Sequence, residues 1–162
     1  MITMQRLSTL GIGVIAGLAG GLAEVVWVVT YAWFTGTDPT VVARGVTTAA
    51  GVSALLPASP AMLGVAVHMV LAAMLGIVLT FIWQPTTPSI SGNPYPFMLA
   101  ALLDVWGLNF FIVLPLVNPA FTTMLPYPVS LISKLLFALA AAEVVRRSVP
   151  SASLVAAGHR AL

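Results

Sequence analysis

The sequence predicts an all-α integral membrane protein, a four-transmembrane-helix bundle with an additional interfacial helix between spans 1 and 2. Three observations lead there. Of the 162 residues, 60% are hydrophobic and 6% charged, whereas about a quarter are charged in soluble domains, and the mean hydropathy is +1.08. Four apolar runs each reach the ~20 residues that a helix needs to cross the hydrocarbon core. The stretches between them are short and hold most of the Pro, with Gly, Ser and Thr, which marks them as connections. The length accommodates one membrane domain over residues 1–147, followed by a polar tail over 148–162.

Span 1 is expected over residues 8–34. Gly13, Gly17 and Gly21 recur every four residues and so share one helical face, and Glu24 continues that face three residues later. Glycines let a partner backbone approach closely, and a carboxylate in hydrocarbon is costly unless paired, protonated or wetted. Arg6 and the small residues Gly21-Leu22-Ala23 resemble a signal peptide, but the apolar run continues to Trp33 and Phe34, beyond the ~7–15 residues of such a segment. Thr35 to Pro39 then breaks the run, with Asp38 before Pro39 supplying a helix cap. Residues 39–55 are less apolar and carry Arg44. Thr40, Arg44, Thr47 and Gly51 fall on one face, the pattern of a helix lying along the bilayer surface.

Span 2 is expected over 61–83, where Gly64, His68, Ala72 and Gly76 are four apart and set the imidazole in a small-residue groove. Residues 84–96 contain Pro85, Pro88, Pro94 and Pro96 and read as a loop. Span 3, over 97–117, holds Asp104, Trp106 and Asn109, and Pro115 is expected to end or kink it. Asn118-Pro119 and Pro126-Tyr127-Pro128 bracket a short turn. Span 4 covers 129–147, with Ser130, Lys134, Ala138 and Ala142 as a fourth small or polar stripe.

Arg6, Arg146, Arg147 and Arg160 flank one side of the spans and Arg44 the other, which predicts cytoplasmic termini. At ~1.5 Å per residue, Glu24, His68, Asn109 and Lys134 then share one layer in the outer half of the bilayer, with Asp104 nearer the midplane. Intramembrane ionisable groups commonly mark a proton or ion path or a polar ligand pocket. A purely structural role is equally consistent: Glu24 or Asp104 pairs with Lys134 while His68 and Asn109 bond locally. Helix packing is expected through Gly13, Gly17, Gly21, Gly64, Gly76 and Ala138. Glu143 precedes Arg146 and Arg147 at helical spacing and reads as a local ion pair. His159 lies in the polar tail and reads as solvated.

No phosphate loop, Gly-x-Ser-x-Gly elbow or His-Glu-x-x-His motif occurs, so an enzyme is not expected. No cofactor is predicted. Haem b through His68 lacks a second span histidine as axial ligand, and His68 is at most a weak metal candidate beside Glu24 and Asp104. The absence of cysteine excludes disulfides, iron–sulfur clusters and thiol nucleophiles. A net charge of +2 without a basic run excludes a nucleic-acid surface.

His68-Met69-Val70 leading into Leu75-Gly76-Ile77 forms the first of three short motifs. The second is Val105-Trp106-Gly107-Leu108-Asn109-Phe110-Phe111 leading into Leu114-Pro115-Leu116 and Asn118-Pro119; the third is Ser130-Leu131-Ile132-Ser133-Lys134-Leu135-Leu136 leading into Arg146-Arg147. In these the chain resembles a YagU-like group of small bacterial inner-membrane proteins, over most of spans 2 to 4. The resemblance implies a four-helix inner-membrane fold, a bacterial source and no particular biochemical activity. Its pattern often has histidine where this chain has Lys134, so a paired-histidine ligand site is not carried over. The expected function is that of a non-catalytic accessory or assembly subunit of a larger membrane complex, plausibly respiratory, with a membrane-protein partner or further copies of itself. The alternatives are a small proton, ion or solute channel or carrier using the polar layer, and a haem- or metal-binding electron carrier. The missing inverted repeat and discontinuous spans count against a carrier.

Overall fold

The computed structural model describes residues 8–56, 58–86 and 92–148. Among these residues all regular structure is helical, and four helices are long and apolar enough to cross a membrane. This is the architecture of a multi-pass membrane protein. The expectations that rest on Arg6, Pro88, His159 and Arg160 lie outside the described residues, as does the tail beyond Ser148.

Helix α1 (Thr9–Thr35) begins where the Ser8 hydroxyl accepts from the Gly11 amide at 3.2 Å. It ends at Gly36, whose φ of 68° is left-handed, a conformation that glycine adopts without steric cost. Helix α2 (Pro39–Ala49) is capped by Asp38, which accepts from the Thr40 amide at 2.9 Å. It stops earlier than the expected residue 55. Gly51 takes φ 69°, the Val52 amide reaches the Thr47 carbonyl and the Gly51 amide reaches that of Thr48, a Schellman ending that closes the last turn.

The stretch read as a loop over 84–96 is shorter than expected. Helix α3 (Pro60–Thr86) runs on through Pro85, and α4 (Pro94–Leu108) already starts at Pro94. Asn93 caps the Tyr95 amide, and Pro94 and Pro96 sit in a first turn where no intrahelical N–H is needed. Pro115 does not end the third span. A π turn (Asn109–Val113) precedes α5 (Leu114–Val117), and the Leu114 amide bonds the Asn109 carbonyl five residues back. Since Pro115 has no N–H to offer the Phe111 carbonyl, the ladder shifts register there instead of breaking. A short α6 (Phe121–Met124) leads to α7 (Tyr127–Ser148).

Helix α1 packs against both α3 and α7, and α4 packs mainly on α7. The α1–α3 crossing is a backbone contact. A Cβ on Gly17 would lie 2.7 Å from the Ala73 Cα and collide with the Ala72 carbonyl, one on Gly13 would lie 2.6 Å from the Ile77 Cα, and one on Gly76 would strike Gly13 and Gly17. Gly21 rests against the Ala72 methyl, while Gly64 presses on the Ala43 backbone of α2. Gly20 abuts the Phe137 ring of α7, a contact not anticipated from the glycine stripe.

The core occupies one half of the molecule. Ile12, Ala16, Leu79, Trp83, Met98, Leu102, Phe137, Ala138, Ala141, Ala142 and Val145 pack there with little or no exposure. The other half contains α2, α6 and the π turn, which border a cavity of about 180 Å³.

Candidate functional site

Glu24 sits where α1 meets α7 and is 4% exposed. The small residues before it on α1 let α3 and α7 close in, so its carboxylate cannot reach solvent and must be met from the neighbouring helices. Lys134 of α7 meets it, with Nζ 2.7 Å from Oε1. Ser133 donates its hydroxyl to the same oxygen at 2.9 Å. The Lys134 ammonium also lies 5.7 Å from the centroid of the Phe137 ring, a favourable placement over an aromatic face.

His68 approaches from α3. Its Nε2 is 3.3 Å from the Gly21 carbonyl and 3.6 Å from Glu24 Oε2. The second distance is beyond a hydrogen bond, so the contact with Glu24 is electrostatic at most. Glu24 Oε2 therefore accepts no hydrogen bond from any described residue, although it is buried. A carboxylate with one oxygen accepting from two donors and the other from none is unusual in a closed interior.

Glu24 and His68 are among the residues that line a cavity of about 180 Å³. Its walls are apolar, with Val25 and Val28 from α1, Val42 and Val46 from α2, and Phe110 and Phe121 from the π turn and α6. Glu24, His68, Ser133 and Lys134 supply its polar floor. Helix α2 forms one wall, and its start is held by Asp38. The Thr40 hydroxyl and amide, together with Arg44 at 3.2 Å, hold the Asp38 carboxyl below the usual carboxylate range. Thr47, expected on the polar face of this helix, is buried with its hydroxyl on the Arg44 carbonyl at 2.7 Å.

The other two residues of the expected polar layer are not part of this cluster. Asn109 opens the π turn, and the structure gives its side chain no hydrogen bond to Glu24, His68 or Lys134. Asp104 points away from the other helices. It is exposed, ten residues after Pro94 and thirteen before Val117 in a 24-residue apolar span, and it has no hydrogen bond or ion pair among the described residues. Around it on the same helical face lie exposed Ala100, Leu108 and Phe111, with Gly107, where a Cβ would meet open space.

Glu143, at the far end of α7, pairs with Arg146 at 2.6 Å and Arg147 at 2.5 Å and accepts the Tyr95 hydroxyl. Two indoles fasten the near end of α7. Trp27 donates to the Val129 carbonyl at 2.9 Å and Trp106 to the Ser130 hydroxyl at 3.1 Å. Among the described residues no three His, Cys, Asp or Glu side chains gather as a metal site.

Gly20 and Phe137, and Ser133 as a partner of Glu24, are not predicted by the small-residue stripes. Ser133 and Phe137 are four apart, beside the expected Ser130/Lys134/Ala138 stripe, so their shared face was readable as a second row facing α1.

Fold and site together define a helical membrane protein with an acid and a base joined between its first and last long helices. Compared with protein-family models, with curated proteins and with solved structures, the chain matches none.

Proposed function

We propose that this chain is a non-catalytic accessory subunit of a membrane complex and that it docks on a partner helix through the outward face of α4. The observation that carries this reading is Asp104. A carboxylate near the middle of an apolar span is costly against lipid, and Ala100 and Gly107 beside it leave room for a helix to approach closely. The described cations are already engaged, Arg44 by Asp38, Lys134 by Glu24, and Arg146 and Arg147 by Glu143. His68 lies against the Gly21 carbonyl and Glu24, so a second copy of the described chain offers Asp104 no Lys or Arg that is not already paired. The fitting partner is a transmembrane helix with Lys, Arg or His at the same depth.

In this reading the four long helices stand as a bundle in a bacterial inner membrane, with both termini cytoplasmic and α2 along the outer surface. The arginine asymmetry and the likeness to YagU-like proteins support that placement. The packed half supports a role without conduction, because Ala16, Phe137, Ala138, Ala141 and Ala142 are 0% exposed beneath the Glu24 cluster.

Photo-crosslinking tests the proposal. A benzoylphenylalanine at Leu108, introduced in the native host, should give one heteromeric adduct whose crosslinked peptide carries a basic residue within an apolar span. Asp104→Leu should abolish it. A self-adduct, or an adduct indifferent to Asp104→Leu, would contradict the proposal.

A further inference from the structure

The end of α7 away from the cavity holds the one excess of fixed positive charge among the described residues. Arg44 and Lys134 are each matched by a carboxylate of their own, and Asp104 is negative, whereas Arg146 and Arg147 share the single carboxylate of Glu143. Both arginines stay open to their surroundings, with side chains 54% and 74% exposed.

Their donors are only partly used. Arg146 spends Nε and Nη2 on Glu143 at 2.8 and 2.6 Å, and Arg147 spends Nε at 2.5 Å. Nη1 of Arg146 and both Nη groups of Arg147 meet no acceptor among the described residues. Glu143 is steadied in turn by the Tyr95 hydroxyl from the first turn of α4. The two guanidinium groups are thus oriented in advance, which lowers the side-chain ordering that capture of an oxyanion would cost.

Position says which oxyanion. From Tyr127 at the start of α7 to Arg147 the helix rises ~30 Å, the thickness of the hydrocarbon core, so the arginines stand at headgroup level. Ile132, Leu139 and Arg146 recur every seven residues and share one face of α7, and both apolar members are exposed. An acyl chain can lie along that strip while its phosphate meets the guanidinium groups. A free phosphate has no use for the strip.

We infer that Arg146 and Arg147, held by Glu143 and Tyr95 at the end of α7, bind the phosphate of an anionic phospholipid whose acyl chain runs along Leu139 and Ile132. The unesterified phosphate oxygens accept from the free Nη groups, as charge-assisted bonds. Two guanidinium groups against one carboxylate leave a net positive charge, which favours an anionic lipid over a zwitterion that brings its own cation to the same place.

The full chain in a mild non-ionic detergent is titrated with dioctanoyl phosphatidylglycerol, dioctanoyl phosphatidylcholine and inorganic phosphate while its thermal midpoint is followed. Phosphatidylglycerol should raise the midpoint saturably, at a half-effect concentration at least tenfold below those of the other two. Arg147→Gln, at an exposed position, should raise that concentration about fivefold, the loss expected for one arginine at an anionic headgroup. Arg44→Gln removes the same charge from α2 and should leave it unchanged. The inference is overturned if phosphatidylglycerol gives no saturable shift, if phosphatidylcholine or inorganic phosphate matches it, or if Arg147→Gln weakens the response no more than Arg44→Gln does.

Discussion

Lys134 on the last long helix places its ammonium 2.7 Å from Oε1 of Glu24 on the first, joining residues 110 positions apart in the chain at a point where both side chains are largely enclosed. Their mutual attraction is strong because little water screens it, and for the same reason neither charge tolerates losing the other. Glu24→Gln and Lys134→Met should each destabilise the protein by about 3–5 kcal/mol, and the double variant should recover much of that loss. Thermal unfolding of the four proteins in one detergent checks it. Strictly additive losses would mean that the pair contributes no coupling.

The α1–α3 crossing should be intolerant of volume. Gly17→Leu is expected to cost ~1–3 kcal/mol or more, since the new side chain must displace the backbone around Ala72 and Ala73. Gly107→Leu meets open space and should leave folding of the isolated chain unchanged while weakening the crosslink at Leu108. Yield and thermal midpoint after purification separate the two positions.

These contrasts show which parts of the molecule were readable in advance. The spans followed from apolar length alone, because a helix must satisfy its own backbone in hydrocarbon wherever its side chains point. Glu24 and Lys134 each extend a small-residue stripe, and such stripes face neighbouring helices. Asp104 carries no such flag. Its outward direction depends on the rotation of α4 against α7, which spacing within one helix does not specify. The cavity was hidden for a different reason: part of its wall comes from α2, α6 and the π turn, three short elements whose positions are set by tertiary contact. The π turn itself is a local answer to Pro115, and the sequence indicates the missing donor but not which turn absorbs it.

The cap of α2 should depend on pH with the sign of a depressed carboxyl. Because Asp38 has a lower pKa folded than unfolded, its contribution is fully present above the ordinary carboxylate pKa of 3.8 and is lost as pH falls through the lower folded value. Amide exchange at Thr40 and Val41 should therefore be protected at neutral pH relative to Asp38→Ala. That difference should close at strongly acidic pH, after correction for intrinsic exchange.

Topology follows from arginine placement. Reporter fusions after Pro88 and at the C-terminus should both read cytoplasmic and one at Gly51 periplasmic. A periplasmic C-terminus would reverse the side on which the cavity and α2 lie.

Native mass spectrometry of the tagged full chain, gently extracted from its own membranes, most directly tests whether it serves as a subunit. The expected spectrum contains the 16.9 kDa chain bound to a different membrane polypeptide, and Asp104→Leu should release the chain from that complex without unfolding it. A parent protein that appears alone or only as multiples of its own mass, with Asp104→Leu giving the same spectrum, would contradict the proposal.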